Sequence, residues 1–243
     1  SSLGYHAPDT IEVLGSLGFD YVTLDLEHEV FDELAIQHAI RAAEAFDVTP
    51  IVRVPNDPHL ILRLLDAGAQ GVHLPRVNTG REAQAVVDAC RFHPLGKRSF
   101  FATARSGNYG LGVTEEEYAE CSNQETLITL QIEEVEGVHN IEEILSISHV
   151  DVIQIGPKDL WQSMGMPDRK QVWEVIDRII ASAVRAGLWV SMVAWMNPDV
   201  LEQVRYYRHM GVNMVTVSAR ELLVIGAGLF LDQSQQVTGQ GHG

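Results

Sequence analysis

Short apolar runs alternate with longer amphipathic stretches along most of the chain. The runs are rich in Val, Ile and Leu and do not alternate strictly with polar residues. Strands of a parallel sheet have this pattern when helices cover both faces of the sheet. The pattern therefore predicts seven strands, at residues 21–26, 50–54, 71–74, 126–132, 150–155, 188–193 and 213–217.

Apolar residues between these runs recur at helical spacing. In residues 33–46, Ile36, Ala39, Ile40 and Ala43 fall on one stripe, which predicts an amphipathic helix. Several of the stretches stop just before a glycine, which is a common helix end. The other predicted helices span residues 8–17, 58–67, 80–90, 140–146, 170–186 and 198–210.

Strands joined by helices indicate an α/β fold, either a (β/α)8 TIM barrel or an open doubly wound sheet. The barrel is favoured because no Gly-x-Gly-x-x-Gly motif follows the first run. Because the chain begins just before a helix, the first strand is expected to be missing. Without an obvious linker, residues 1–231 are expected to form a single barrel domain. The Gln- and Gly-rich residues 232–243 are expected to form a flexible C-terminal tail.

Composition and charge exclude several classes of protein. The formal net charge is −16, from 17 Lys and Arg against 33 Asp and Glu, so a nucleic-acid partner is not expected. No apolar run is long enough to span a membrane, and no secretion signal is evident. Two cysteines make neither a disulfide framework nor a zinc cluster. A cytoplasmic protein without a membrane partner is expected.

Charged residues cluster where the predicted strands end. The working face of a parallel barrel is formed by the carboxyl ends of its strands, so these residues are candidates for a site. Each of them could instead cap the next helix or form an ion pair. The candidates are Asp25, Glu27, His28, Arg53, Asn56, Asp57, His73, Arg76, Gln131, Glu133, Glu134, Lys158 and Asp159.

Two of these carboxylates suggest a divalent metal ion. Glu133 and Asp159 follow consecutive strands, which are neighbours in a barrel. Mg²⁺ and Mn²⁺ are commonly held by one or two carboxylates, with water and substrate oxygens as the remaining ligands. The spacing is therefore compatible with a shared ion.

Several motifs, in order over residues 8–222, resemble those of the metal-dependent (class II) pyruvate aldolases. This family comprises the hydroxy-keto-acid and 2-keto-3-deoxy-sugar-acid aldolases, and macrophomate synthase and citrate lyase β subunits are its relatives. The resemblance implies a phosphoenolpyruvate/pyruvate-type barrel. The motifs are FDYVTLDLEH (19–28), IVRVPNDP (51–58), LLDAGA (64–69), GVHLPRV (71–77), PLGKRS (94–99), QIE (131–133) and IGPKDL (155–160).

The resemblance also implies a role for each matching residue. Glu133 and Asp159 would bind the metal, which would be Mg²⁺ or Mn²⁺, with Co²⁺ also compatible. Gln131 and the segment Gly156, Pro157, Lys158 and Asp159 would bind the pyruvate carboxylate. His28 would be the base, Asp66 would raise the basicity of His28, and Arg53 would stabilise the enolate. A homo-oligomer, trimeric or hexameric, is implied too.

The leading hypothesis is an aldolase that cleaves a 4-hydroxy-2-keto acid reversibly to pyruvate and an aldehyde. One alternative keeps the enolate chemistry in an oxaloacetate decarboxylase or a carbon–carbon bond-forming synthase, and another is a catalytically silent barrel. Two departures from the family pattern stand out. Trp161 replaces a common serine, and His73 replaces an aliphatic residue. Trp161 and the irregular residues 93–112 are expected to shape the aldehyde pocket, although Trp161 could simply pack beneath its loop.

Overall fold

The strands form one parallel sheet in the computed structural model, which describes residues 2–3, 7–30 and 32–238. Their order in the sheet is their order in the chain, from β1 to β8. The strands are β1 (Ser2–Leu3), β2 (Tyr21–Asp25), β3 (Thr49–Arg53), β4 (Gly71–Leu74), β5 (Leu127–Ile132), β6 (Val152–Ile155), β7 (Trp189–Val193) and β8 (Met214–Thr216).

Helices connect the strands and cover the outside of the sheet. Consecutive parallel strands need such crossover connections. The helices are α1 (Pro8–Ser16), α2 (Glu33–Ala45), α3 (Pro58–Asp66), α4 (Gly80–Cys90), α5 (Glu115–Glu125), α6 (Val135–His139), α7 (Ile141–Leu145), α8 (Pro157–Ser163), α9 (Arg169–Arg185), α10 (Val200–Met210) and α11 (Ala219–Thr238), with a 3₁₀ helix at Arg105–Gly110.

All seven predicted strands are present, and none of their ends differs from the predicted end by more than two residues. The expectation of a missing first strand was wrong. Ser2 and Leu3 pair in parallel with Thr23 and Leu24 of β2. A strand of two residues is too short to produce a recognisable apolar run, which is why the sequence pattern did not predict it.

Four helices were not predicted, namely α5, α6, α8 and α11. Helix α5 has one buried residue, Tyr118, and therefore no apolar stripe. Helix α11 continues to Thr238, so part of the predicted tail is helical, while residues 239–243 lie outside the described residues. Although α11 is the longest helix of the described chain, neither it nor any other described helix has the length and apolarity needed to cross a bilayer.

The two faces of the sheet differ in polarity. Side chains such as Val22, Leu24 and Val72 are fully buried in the apolar core. The opposite face carries polar side chains that are also buried, among them Thr23, Asp25, His73, Thr129, Gln131, Gln154, Ser191 and Thr216. Buried polar groups need hydrogen-bond partners, either within the protein or from a ligand. The polar face of the sheet is therefore the place to look for a binding or catalytic site.

The sheet curls so that its two ends approach each other on the polar face. The hydroxyl groups of Tyr21 in β2 and Thr216 in β8 lie 2.7 Å apart. Among the described residues, the strand pairs run from β1 to β8, and none joins β8 back to β1. The architecture is an α/β fold with a TIM-barrel-like parallel sheet.

Candidate active site

Two adjacent cavities open at the carboxyl ends of the strands. The larger, of about 420 Å³, is bordered by Arg53, His73 and Gln131 and by the start of α8. The smaller, of about 290 Å³, is bordered by Glu27 and Glu133 among others. His28 and Asp159 border both cavities, so the two spaces form one continuous site.

Arg53 is held in the site by Asp25 on the neighbouring strand. The two residues are paired in the register of β2 and β3. Arg53 Nε donates to Asp25 Oδ1 over 3.0 Å, and Nη2 donates to Oδ2. Burial would raise the pKa of Asp25, but the hydrogen bonds and charge of Arg53 outweigh it and hold this pKa below its ordinary value. The guanidinium is therefore fixed as a forked donor.

The same aspartate also organises the loop that carries His28. Asp25 Oδ1 accepts hydrogen bonds from the backbone N–H of Glu27 at 2.9 Å and of His28 at 3.3 Å. The His28 side chain is 61% exposed, and its Nε2 lies 3.5 Å from Glu27 Oε2. Arg53 Nε lies 3.6 Å from that same oxygen. Glu27 thus lies between the imidazole and the guanidinium.

Glu133 follows β5 directly and is buried, with 4% of its surface exposed. Its Oε1 accepts a hydrogen bond from the backbone N–H of Arg76 at 3.0 Å, and its Oε2 accepts one from Gln131 Nε2. Burial, and then the nearby charge of Asp159, raise the pKa of Glu133 to about 7. Two carboxylates that oppose each other's ionisation in this way are a favourable place for a cation.

The donor set of the smaller cavity fits a hard divalent cation. Glu133 supplies a buried carboxylate, and Asp159 supplies an exposed one from the first turn of α8. Glu27 Oε2 is buried and has no hydrogen-bond partner. Within the described residues, no group of three or more His, Cys, Asp or Glu is arranged to hold a metal. A site with two carboxylates suits Mg²⁺, which retains several water ligands, better than it suits Zn²⁺.

The turn between β6 and α8 brings the backbone close to these side chains. A Cβ atom at Gly156 would lie 2.6 Å from Glu133 Oε2 and 2.8 Å from Gln131 Nε2. Only glycine allows this approach, which explains the residue type at this position. Gly156, Pro157 and Lys158 all border the larger cavity together with Gln131.

Asp66, which the resemblance places in the site, lies away from the two cavities. Helix α3 begins after the carboxyl end of β3 and ends before β4, so its last residue lies at the amino edge of the sheet. There Asp66 Oδ1 accepts a 2.7 Å hydrogen bond from Arg98, whose side chain is almost fully buried. Asp66 therefore does not reach His28 within one chain, and its predicted effect on the basicity of His28 stays a prediction.

Neither feature expected to shape the aldehyde pocket borders the two cavities. Trp161 Nε1 donates to the carbonyl of Pro167 at 2.9 Å, and Arg169 stacks 3.8 Å above the indole ring. The indole therefore packs beneath its own loop. The predicted loop instead borders a separate cavity of about 890 Å³ near Gly68 and Gln70, at the amino edge of the sheet. The loop residues that line it are Arg98, Arg105, Ser106, Asn108 and Tyr109.

Several residues of the site were not predicted from the sequence. The larger cavity is also bordered by Thr23, Gln154, Trp195, Thr216, Ser218, Arg220 and Glu221. The available signal was a polar residue inside an otherwise apolar strand, as at Gln154 in β6. The sequence marks His73 as an unusual residue without indicating a role for it, and in the structure it is buried beside Gln131.

Known proteins are similar to this chain in sequence and in fold. The hydroxypyruvate/pyruvate aldolase of Roseobacter denitrificans is 35% identical over 188 residues, which cover 74% of this chain and 72% of that protein. The 5-keto-4-deoxy-D-glucarate aldolase of Salmonella arizonae is 34% identical over 226 residues, covering 91% and 85%. The structure of macrophomate synthase superposes with a TM-score of 0.85 at 26% identity, covering 100% of this chain and 85% of that one.

The predicted resemblance is confirmed at the level of the family. Residues 3–219 match the family described as HpcH/HpaI aldolase/citrate lyase, which is most of the chain. The chain therefore belongs to the HpcH/HpaI aldolase/citrate lyase family.

Proposed function

We propose that this enzyme is a metal-dependent aldolase that cleaves a 4-hydroxy-2-keto acid reversibly to pyruvate and an aldehyde. Membership of the family and the aldolase relatives support a carbon–carbon lyase acting on keto acids. The observation that carries the proposal is that His28 and Asp159 border both cavities, with Arg53 and Gln131 in one and Glu133 in the other. An imidazole base, a guanidinium held in place by Asp25, an amide donor and two carboxylates thus converge on one site.

Glu133 and Asp159 are the residues proposed to hold the divalent ion, Mg²⁺ or Mn²⁺, with Co²⁺ also compatible. When bound, such an ion acts as a Lewis acid toward the keto group and makes the C3 protons of pyruvate more acidic. The ion would also supply the local positive charge that a keto acid needs in a protein of net charge −16.

The remaining roles belong to side chains of the larger cavity. Gln131 Nε2, with the backbone of Gly156–Lys158, binds the carboxylate of the keto acid. In cleavage, His28 accepts the proton of the C4 hydroxyl, the C3–C4 bond breaks to release the aldehyde, and the electron pair of that bond moves toward C2 to form the enolate. His28 then returns a proton to C3, and it removes that proton when the reaction runs toward synthesis. Arg53 stabilises the negative charge of the enolate from a position that Asp25 fixes.

Two further features are part of the proposal. The eight strands close into a (β/α)8 barrel, which the contact between Tyr21 and Thr216 supports because it joins the two ends of the sheet. The chain forms a homo-oligomer, which the exposed apolar residues of α11 support. These residues are Leu223, Val224, Ile225, Leu229, Phe230 and Leu231.

Proton exchange at C3 of pyruvate tests the proposal without knowledge of the aldehyde. Pyruvate in D₂O is followed by NMR, with and without Mg²⁺ or Mn²⁺, for the wild type, Glu133→Ala and the matched control Glu136→Ala. Glu136 is exposed on α6, three residues further along the chain. We expect exchange that requires both the metal and Glu133 and that Glu136→Ala retains.

Two results would contradict the proposal. Full exchange by Glu133→Ala at low metal concentration would remove Glu133 from the set of ligands. No exchange by the folded wild type with any divalent ion would exclude pyruvate as the donor. Oxaloacetate decarboxylation and carbon–carbon bond synthesis would then be assayed with the same variants.

A further inference from the structure

His73 is a buried residue of β4 that the proposed reaction does not use. It is 9% exposed and borders the larger cavity. Its Nε2 lies 2.5 Å from Oε1 of Gln131. In the sheet register His73 pairs with Arg53 on one side and Thr129 on the other. A histidine in this position is costly to bury and therefore needs an explanation.

The contacts of Gln131 determine which of its amide atoms faces His73. The amide nitrogen of Gln131 donates to Glu133 Oε2, which lies on the side of the amide away from His73. The amide oxygen then faces His73 and requires a donor. Burial, followed by the charge of Arg53, lowers the pKa of His73 to about 3, so the ring is neutral at pH 7. The hydrogen bond assigns its one proton to Nε2.

We propose that His73 is a positioning residue that holds the Gln131 amide with its NH₂ group toward Glu133 and the keto-acid carboxylate. The inference rests on the proposed function in that Gln131 is the residue that binds this carboxylate. Without the imidazole donor, the amide oxygen is buried without a partner, and rotating the amide by 180° would direct that oxygen at an anion. His73 therefore acts on substrate binding through Gln131 rather than on proton transfer.

Two substitutions separate hydrogen bonding from packing. His73→Leu keeps a buried side chain but removes the donor, whereas His73→Gln can place an amide N–H close to the position of Nε2. We expect His73→Leu to raise the KM for pyruvate in C3 exchange about tenfold, which corresponds to the cost of one unpaired buried acceptor. We expect kcat to change by less than twofold, and His73→Gln to restore KM to within about threefold of the wild type.

A second measurement does not depend on activity. The ¹⁵N and ¹H signals of the Gln131 side-chain amide, assigned with Gln131→Leu, report the orientation of the amide in protein without metal or pyruvate. We expect these signals to shift in His73→Leu and to return toward the wild-type position in His73→Gln. Because this readout needs no turnover, it decides the role of His73 even if the wild type fails to exchange pyruvate protons.

Two results would overturn the inference. One is an unchanged Gln131 amide signal in His73→Leu, since the amide orientation would then not depend on the imidazole. The other is that both substitutions raise KM and lower kcat by similar factors, which would indicate that His73 only packs in the core.

Discussion

At the scale of single residues, Arg53 shows how strand register fixes a side chain that we propose to act in catalysis. Its guanidinium has two hydrogen bonds to Asp25, and it is mostly buried, so its donors are fixed before substrate arrives. We expect Arg53→Lys to lower kcat for C3 exchange about 100-fold, because a flexible ammonium cannot reproduce the forked geometry.

Arg63→Lys is the matched control for this prediction. Arg63 also makes a forked pair, with Glu33, but more than half of its side chain is exposed and it lies outside both cavities. We expect wild-type kcat for this variant and a free energy of unfolding within about 0.5 kcal/mol of the wild type. A near-normal kcat for Arg53→Lys would remove Arg53 from the mechanism.

His73 gives a second prediction at this scale, concerning stability and pH. Its pKa in the folded protein is about 3, against an ordinary value of 6.5. As the pH falls below 6.5 the unfolded chain takes up a proton that the folded protein excludes, so stability is lost down to about pH 3. This single group should lower the free energy of unfolding by about 2 kcal/mol between pH 7 and pH 5.

Urea unfolding of the metal-free wild type and of His73→Gln at several pH values measures this contribution. We expect the wild type to lose about 2 kcal/mol more than the variant between pH 7 and pH 5. Because other groups titrate in both proteins, the difference between the two pH profiles isolates His73. Parallel profiles would show that the pKa of His73 in the folded protein is close to its ordinary value.

At the scale of elements, the turn between β6 and α8 lies so close to Glu133, a proposed metal ligand, and to Gln131 that it has no room for a side chain at Gly156. A methyl group at Gly156 would meet Glu133 and Gln131 at distances that real Cβ atoms do not tolerate. We expect Gly156→Ala to lower the C3 exchange rate at least tenfold, because small displacements of reacting groups are costly. The rate, and Mg²⁺ affinity by calorimetry, are the measurements.

Gly228→Ala provides the control for this substitution. Gly228 lies in α11, and a Cβ atom there would have no neighbour within 4 Å. Alanine also favours the helix by about 1 kcal/mol relative to glycine. We expect an unchanged exchange rate and equal or higher stability. An active Gly156→Ala enzyme would show that the turn relaxes without disturbing Glu133.

Prediction from the sequence succeeded for elements whose pattern reflects burial. Strands covered on both faces gave continuous apolar runs, so seven strands were placed within one or two residues. Helix α5 was missed because its stability comes from a capping box between Thr114 and Glu117 rather than from an apolar face. Helix α11 was missed because its apolar residues stay exposed in one chain and its end is polar.

The candidate site was predictable to the extent that parallel strands bring their carboxyl ends together. This rule predicts that His28, Arg53, Gln131, Glu133 and Asp159 lie close to one another, and all five border the two cavities. Asp66 is not brought to the site within one chain, because its role came from a motif, whereas the direction of α3 carries it to the other edge of the sheet. The proposed role of His73 could not be predicted from the sequence, because it depends on the contact with Gln131 that only the fold creates.

At the scale of the whole molecule, the net charge of −16 sets a long-range field around the site. This field attracts a divalent cation and repels the keto-acid anion. Salt limits its reach, to about 30 Å at 0.01 M and about 10 Å at 0.1 M ionic strength. We therefore expect opposite effects of KCl on the two ligands. Raising KCl from 0.01 to 0.1 M should weaken the apparent Mg²⁺ affinity about threefold and should lower the KM for pyruvate at saturating Mg²⁺.

The opposite signs make each effect the control for the other. Titrations of the C3 exchange rate with Mg²⁺, and then with pyruvate, give both quantities at each salt concentration, and sucrose at matched osmolality excludes a general solvent effect. If the Mg²⁺ affinity and the pyruvate affinity change in the same direction, or if neither changes, the local charges of Glu133, Asp159 and Arg53 dominate over the long-range field of the net charge. The surplus of acidic residues would then have no part in binding.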